Sequence, residues 1–258
     1  MLRIATWNVA FCRNLPMVLE STRALPARDL ISLQELSIHH GRTDAGAIAA
    51  ALGASWRHEQ VTAQVVAGRP QANGILWDAR RIELENVNTV ELPSPSGRIM
   101  RSLPRQRRNA VVADLRLGAW RIRLYAVHLD VFGIAHKHAQ LATVLDDASG
   151  RAGSDLVLIA GDMNTYGIAG RPRWAELRRL AAAADFDEVT TGIGWTHRAL
   201  GVRQKLDAVF AAPRGLHHRA WRLPLPGSDH VPVLVDVELP TLAASPPDAD
   251  VIASRRQP

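Results

Sequence analysis

Two polar side chains stand two residues apart at the end of a very apolar stretch of the chain. Leu156–Thr165 reads Leu-Val-Leu-Ile-Ala-Gly-Asp-Met-Asn-Thr. The run of Leu, Val and Ile favours a strand buried on both faces, and Gly161 permits either a sharp turn or a close approach by another group. Asp162 and Asn164 project in the same direction from an extended segment. Polar groups at the carboxyl end of such a strand are typical of a binding cleft in open α/β proteins, and the alternative is an Asx turn.

Similar polar residues follow or interrupt the other short apolar runs. Together they are Asn8, Glu35, His128, Asp162, Asn164, Asp207, Asp229 and His230. Each one alone has a structural explanation, such as capping a turn or bonding to a backbone carbonyl. Asp207, however, lies inside Lys-Leu-Asp-Ala-Val-Phe, and a buried carboxylate without a partner is very costly. We therefore predict that His230 donates to Asp207, and eight such residues at strand ends predict a catalytic site.

The elements that must position these residues are predicted from hydrophobic periodicity. The predicted strands are Leu2–Val9, Asp29–Leu33, Gly74–Trp77, Arg81–Leu92, Ala110–Leu117, Trp120–Val127, the run that begins at Leu156, Lys205–Ala211 and His230–Leu239. The predicted helices are Leu15–Leu25, Thr43–Leu52, Ala135–Ala148 and Pro172–Ala184. This mixture predicts an α/β fold. Since no repeat or linker divides the chain, we predict one domain over residues 1–239, followed by a disordered tail over residues 240–258 that is rich in Pro, Ala, Ser and Asp.

The composition excludes several classes of protein. The chain has 258 residues, of which 47% are hydrophobic and 22% are charged, as in soluble globular proteins. It lacks the run of about 20 apolar residues that crosses a bilayer, and we expect no stable membrane association. A net charge of +6 favours polyanionic partners such as nucleic acid, anionic surfaces or phosphorylated small molecules. A single cysteine excludes an internal disulfide, and with no secretion leader at the N-terminus we expect a cytoplasmic protein.

The polar residues lie within six short sequence motifs. The motifs are Thr6-Trp7-Asn8-Val9, Leu33-Gln34-Glu35, Val127-His128-Leu129, Gly161-Asp162-Met163-Asn164, Leu206-Asp207-Ala208-Val209 and Ser228-Asp229-His230-Val231-Pro232-Val233. This pattern resembles the endonuclease/exonuclease/phosphatase superfamily of metal-dependent phosphoesterases. The resemblance spans residues 1–238. It implies a four-layered α/β/β/α sandwich of the DNase I-like type, with two mixed sheets packed face to face and helices outside.

The resemblance also implies a metal site. Glu35 would be the main ligand of a divalent cation, and Asn8 and Asp229 would support it directly or through water. Carboxylate and amide oxygens suit Mg²⁺ or Mn²⁺, whereas Zn²⁺ prefers more His or Cys. We therefore expect Mg²⁺ or Mn²⁺. The number of ions, one or two, stays open.

The remaining motif residues would carry out the hydrolysis. By resemblance, Asp162 orients or deprotonates the attacking water, and Asn164 holds that water and a phosphoryl oxygen. His128 donates to a phosphoryl oxygen. His230, oriented by Asp207, acts either as the base or as a stabiliser of the transition state. Two protonatable histidines would supply charge-assisted hydrogen bonds.

The substrate is less well defined by the sequence than the chemistry. Arg101–Arg108 contains four arginines and no acid, and some family members carry a phosphate-binding arginine here, a role open to Arg107 or Arg108. A solvated loop is the alternative. Trp195 precedes Asp207 in a polar loop and is a candidate for substrate contact.

Among the activities of the family, nucleic-acid hydrolysis agrees best with the basic charge. The signatures of inositol polyphosphate phosphatases and abasic-site endonucleases are absent from this sequence. Two alternatives remain open: a phosphoesterase acting on a small molecule or lipid headgroup, and a non-catalytic binding module. The second is disfavoured because every expected catalytic position is filled.

Overall fold

A computed structural model of the protein describes residues 1–39, 41–94, 107–131, 133–150, 153–166 and 173–240. The strands are β1 (Leu2–Asn8), β2 (Leu30–Leu36), β3 (Ile38–His39), β4 (Arg42–Thr43), β5 (Trp56–Val66), β6 (Arg69–Asp78), β7 (Glu83–Leu92), β8 (Arg108–Leu117), β9 (Trp120–His128), β10 (Leu156–Asp162), β11 (Asp187–Glu188), β12 (His197–Ala199), β13 (Val202–Gln204), β14 (Asp207–Ala212), β15 (His218–Arg222) and β16 (Val233–Val237). The helices are α1 (Leu15–Arg23), α2 (Asp44–Leu52), α3 (Ile134–Ser149) and α4 (Arg173–Ala183).

Twelve of these strands form two six-stranded mixed sheets. The first sheet has the order β15-β16-β1-β2-β6-β5, and the second has the order β11-β14-β10-β9-β8-β7. Each sheet contains one parallel pair near its centre, β1 with β2 and β9 with β10. The short pairs β3–β4 and β12–β13 form separate hairpins.

The two sheets pack against each other, and helices cover their outer faces. Leu158 of β10 lies in the apolar core between the sheets, and its neighbour Ile159 packs on the other side in a cluster with Leu141 of α3. On the first sheet, Ile31 of β2 packs in a third cluster with Val18 of α1 and with residues of α2. The result is the four-layered α/β/β/α sandwich that the resemblance implies, and the expected fold class is confirmed.

Local sequence signals start and end the helices on the first sheet. The Asn14 side chain accepts a hydrogen bond from the Met17 N–H at the start of α1, and Thr43 accepts one from the Gly46 N–H at the start of α2. Both are favoured N-cap residue types. Among the described residues, no helix is long and apolar enough to span a membrane.

Periodicity missed both edge strands of the first sheet. β5 and β15 lie at the edges of the first sheet and carry many half-exposed polar side chains. Edge strands therefore lack the apolar runs that mark central strands. The predicted bounds of two other strands are also shifted. β6 begins well before Gly74, and the last strand begins at Val233 rather than His230. The predicted disordered tail after residue 240 and most of the arginine-rich segment, residues 101–106, lie outside the described residues.

Candidate active site

At one end of the sandwich, the inward-facing positions of the strands change from apolar to polar. In β10, Leu158 and Ala160 face the other sheet, and Asp162 is the next position on that face. In β9, Ala126 is followed in the same way by His128. Asp162 pairs with His128 across the parallel ladder and with Asp207 of β14 across the antiparallel ladder. Simple alternation therefore lines up three polar groups on adjacent strands.

Gly161 allows a close approach of backbone rather than a sharp turn. β10 continues through this residue to Asp162. A Cβ atom at Gly161 would lie 1.8 Å from the carbonyl oxygen of Val127 on the neighbouring strand. Only glycine fits here, and it lets the strand reach Asp162 without losing its register.

Glu35 reaches the same end of the sandwich through a break in alternation. Ile31 and Leu33 pack towards the helices, so regular alternation would aim Glu35 there too. Instead, the register between β2 and β6 shifts between Leu33 and Leu36, and Glu35 adopts a left-handed backbone with φ of 54°. Leu36 then packs towards the helices, while Oε1 of Glu35 lies 3.8 Å from Nε2 of His128. Bulges of this kind redirect side chains next to functional sites.

The carboxylate of Asp162 is buried and held by several donors. Oδ2 accepts a hydrogen bond of 3.0 Å from Nδ2 of Asn8, and Oδ1 accepts one of 2.8 Å from the N–H of Asn164. Nδ2 of Asn164 donates to the carbonyl of Leu129 at 2.8 Å, and Asn164 also has a left-handed backbone with φ of 49°. Burial raises the pKa of Asp162, and the charge of His230 opposes this effect only in part.

His230 is paired with Asp207, the partner that the sequence predicts. Nδ1 of His230 lies 2.8 Å from Oδ2 of Asp207. Burial alone would lower the pKa of His230, but the negative charges of Asp207 and Asp162 offset this effect and raise that pKa to about 10. His230 is therefore an imidazolium at neutral pH. The Asp207 N–H is itself bonded to Oγ1 of Thr196 at 3.0 Å, which holds the start of β14 in place.

His128 has the opposite charge state. Nη1 of the buried Arg108 lies 3.0 Å from Nδ1 of His128 and 3.1 Å from Oε1 of Gln71. Since Arg108 can only donate, Nδ1 of His128 accepts and the ring proton resides on Nε2. Burial and the charge of Arg108 lower the pKa of His128 well below its usual value. Both the hydrogen bond from Arg108 and the lowered pKa therefore favour His128 as a neutral imidazole that donates through Nε2.

The donors converge on one carboxylate. Nε2 of His128 and Nε2 of His230 each lie 3.7 Å from Oδ2 of Asp162. Asp162 is thus an acceptor flanked by one neutral donor and one cationic donor. A phosphoryl group bound beside it would meet donors from both histidines, and a water there would meet an acceptor.

Oxygen and nitrogen groups at this end could hold a metal ion. Among the described residues, two sets of three side chains have ligand atoms within 4.8 Å of one another: His197, Asp229 and His230, and Asp162, Asp207 and His230. Glu35 belongs to neither set. Burial raises the pKa of Glu35, and the charge of His230 opposes that shift. The pKa of Asp229 falls to about 2, because His197 and His230 outweigh the effect of burial.

The proposed substrate residues occupy different environments. Arg108 is inside the site, whereas Arg107 is exposed and donates its backbone N–H to Oε1 of Gln64 at 3.0 Å. Both arginines line a cleft of about 480 Å³. Trp195 is half-buried, and the guanidinium groups of Arg203 and Arg222 lie 5.0 and 4.3 Å from its ring centroid.

Two further residues have no motif that could have identified them. The ring of His197 lies 4.6 Å from that of His230, and Nε2 of His197 lies 3.7 Å from Oδ2 of Asp229. Lys137 of α3 is fully buried and donates from Nζ to the carbonyl of Val131 at 2.8 Å, just beyond His128. Burial lowers the pKa of this lysine to about 8. Only the fold brings these two side chains to the site.

The four layers, with polar groups gathered at one end of the paired sheets, define a protein of the DNase I-like fold class. The chain belongs to the Endonuclease/Exonuclease/phosphatase family, whose sequence model matches residues 5–230. This family consists of hydrolytic phosphoesterases, so the resemblance read from the motifs is confirmed. No curated protein matches the chain significantly in sequence.

Solved structures share the fold at low sequence identity. An endonuclease/exonuclease/phosphatase from Beutenbergia cavernae is 20% identical with a TM-score of 0.70, over 92% of this chain and 71% of that one. Humanised D. rerio TDP2 is 19% identical with a TM-score of 0.67, over 92% and 99% of the two chains. A mannosyl-6-phosphatase from Bacteroides thetaiotaomicron is 12% identical with a TM-score of 0.67, over 93% and 100%. These likenesses establish the fold.

Proposed function

We propose that the protein is a Mg²⁺- or Mn²⁺-dependent phosphodiesterase that hydrolyses nucleic acid. The observation that carries this proposal is the position of Asp162, with Nε2 of His128 and Nε2 of His230 each 3.7 Å from its Oδ2. Phosphoryl transfer needs a positioned nucleophile and donors directed at the oxygens where negative charge develops. Asp162 can position the nucleophilic water, and the two histidines beside it can donate to the phosphoryl oxygens.

The acidic groups fit a divalent cation. Glu35, with Asn8 and Asp229, would hold the ion, and oxygen ligands of this kind favour Mg²⁺ or Mn²⁺. Burial raises the pKa values of both Glu35 and Asp162, so a cation would stabilise their ionised forms. When bound, such an ion polarises a phosphoryl oxygen and stabilises the leaving oxygen.

The protonation states assign roles to the protein groups. Asp162, oriented by Asn8 and Asn164, accepts the proton of the attacking water. Because the pKa of His230 is raised to about 10, this residue donates to a phosphoryl oxygen rather than acting as the base. His128 donates to a second oxygen through Nε2, and Arg108 holds its ring in that orientation. Asn164 contributes its side-chain amide to the same phosphoryl group.

The nucleic-acid part of the proposal rests on charge. The chain carries a net charge of +6. Arg107 and Arg108 line one cleft, and Arg108 also bonds to His128. Arginine binds phosphate oxygens in pairs through its planar guanidinium. Arg107 and Trp195 are proposed to contact the phosphate backbone and a base outside the reacting group.

The first test is nicking of supercoiled plasmid with Mg²⁺ or Mn²⁺, beside an EDTA control. Asp162→Ala and His230→Ala are each expected to abolish nicking while the protein stays folded by circular dichroism, because each removes a group that acts on the reacting phosphate. Near-wild-type nicking by either variant would refute its assigned role. Hydrolysis of bis(p-nitrophenyl) phosphate without cleavage of either plasmid or a single-stranded oligonucleotide would instead favour a small-molecule or lipid headgroup substrate.

A further inference from the structure

The hairpin β12–β13 extends from the catalytic end of the sandwich and belongs to neither six-stranded sheet. Its base is tied to the site. The backbones of His197 and His230 form an isolated antiparallel β-bridge, and the Arg198 N–H donates to the carbonyl of Asp229 at 2.8 Å. The base of the hairpin therefore lies next to His230.

The tip of the hairpin is built from a residue poorly suited to its conformation. Ala199 pairs with Val202, so Leu200 and Gly201 form a two-residue turn, and both have positive φ, 48° and 80°. Such turns favour Asn or Asp before the glycine because these residues tolerate a left-handed backbone. Leu200 is also fully exposed, at 104% relative accessibility, and Val202 is 55% exposed. Leucine here is unfavourable in both backbone conformation and solvation.

The strands of the hairpin contain a second unfavourable feature. Arg198 and Arg203 are directly paired across the two strands, and like charges in this arrangement repel each other. Arg203 is held by stacking on Trp195, whose ring also lies beneath Arg222. The hairpin therefore presents concentrated positive charge together with an aliphatic tip.

We infer that the β12–β13 hairpin binds single-stranded nucleic acid beside the catalytic groups, with Arg198 and Arg203 on phosphates and Leu200 and Val202 against unpaired bases. This inference rests on the proposed nuclease function and specifies its substrate. A polyanion neutralises the paired arginines, and exposed bases cover the aliphatic tip. In duplex nucleic acid the base faces are stacked on one another, so a single strand fits this surface better. Features that destabilise the free hairpin thus become favourable in the complex.

The test compares the stability of Leu200→Asn with its affinity for nucleic acid. Asparagine suits the turn, so we expect the melting temperature of the variant to rise. Because the aliphatic contact is lost, we expect its affinity for fluorescein-labelled oligothymidylate, measured by anisotropy, to fall by about fivefold or more. Leu200→Ala keeps the strained backbone and should lose affinity without the gain in melting temperature.

A matched control lies in the β5–β6 hairpin. Ala67 has a φ of 48° and precedes Gly68, whose φ is 77°, in an equivalent two-residue turn. Ala67→Asn should raise the melting temperature in the same way but leave oligothymidylate affinity unchanged. Arg198→Glu, which places opposite charges across the hairpin, should reduce both the affinity and its salt dependence.

Wild-type affinity in Leu200→Asn and Leu200→Ala would overturn the inference. It would also be overturned if these variants lost binding to anionic phospholipid vesicles while keeping affinity for oligothymidylate, since the tip would then be a membrane contact. Failure of the nuclease proposal is distinguishable from both results. In that case the wild type would bind oligothymidylate and the tip variants would weaken binding, but plasmid and single strand would remain uncut with Mg²⁺ or Mn²⁺.

Discussion

Three polar groups of the second sheet and Glu35 of the first sheet reach the active site in different ways. In the second sheet, His128, Asp162 and Asp207 stand at matching positions on three adjacent strands, each continuing the inward face of its strand. In the first sheet, Glu35 reaches the site through a shift in register and a left-handed backbone. The three residues of the second sheet use regular geometry, whereas Glu35 depends on a local departure from it.

Regular alternation involves little backbone strain, whereas the left-handed backbone of Glu35 is strained. Regular alternation adds no conformational cost, and it demands only that the neighbouring strands keep their register. A left-handed glutamate costs free energy in the folded state, and such costs are found where function requires an unusual direction of a side chain. We therefore expect the second sheet to be sensitive to changes that disturb packing, and the first to gain stability when the strained residue is replaced.

The largest expected effect is that of Gly161→Ala in the second sheet. The added Cβ would lie 1.8 Å from the carbonyl oxygen of Val127, so the strands must separate. We expect destabilisation by about 4 kcal/mol or more, measured by chemical denaturation. Gly118→Ala is the control, because nothing lies within 4 Å of a Cβ there and it should cost only about 1 kcal/mol, from its positive φ. Equal losses in the two variants would show that β9 and β10 are not tightly registered.

Asp207→Asn should have the next largest effect, on activity. The amide cannot supply the negative charge that raises the pKa of His230, so we expect this pKa to fall towards its ordinary value of about 6.5. The rate should drop by about 10²-fold or more at neutral pH, with the alkaline limb of the pH–rate profile moving to lower pH. An alkaline limb unchanged from wild type would exclude His230 as its source.

The Asp207–His230 pair also predicts how the stability of the fold changes with pH. The pKa of His230 in the folded protein, about 10, lies above its ordinary value. The pair therefore stabilises the fold fully below about pH 6.5, and this contribution is lost as the pH rises through about 10. Denaturation of wild type and Asp207→Asn at neutral and alkaline pH should converge at high pH. Parallel curves across that window would contradict the assignment.

The smallest expected effect concerns the strain at Glu35. In a regular strand, glycine is less stable than alanine by about 0.5–1 kcal/mol. At Glu35 we expect the reverse order, with Glu35→Gly more stable than Glu35→Ala by about 1 kcal/mol, since only alanine retains the left-handed cost. Ser32→Gly and Ser32→Ala in the same strand should show the ordinary order. If both positions showed that ordinary order, the first sheet would carry no strain at the site.

Several features of the site could be predicted from the sequence because they depend on local rules. Alternation along an apolar strand places Asp162 at the end of a buried face whatever surrounds it. The cost of an unpaired buried carboxylate correctly indicated that Asp207 has His230 as its partner. The order of the motifs indicated the family and the layered fold, both of which are confirmed.

Other features depend on groups that are distant in the chain. Edge strands β5 and β15 were missed because solvent covers part of their surface and weakens their apolar pattern. The neutral state of His128 follows from Arg108, 20 residues away, bonding to its Nδ1. His197 carries no motif, and only its bridge to His230 brings it to the site.

The motifs by themselves indicated the family and the hydrolytic chemistry that it implies. Residue types and strand periodicity indicated the strand ends where the polar groups lie, because alternation along a strand depends on near neighbours in the chain. Only the tertiary structure decided the direction of Glu35, the charge states of His128 and His230, and the position of the β12–β13 hairpin. Each of these depends on desolvation, charge and register between strands that are far apart in the sequence.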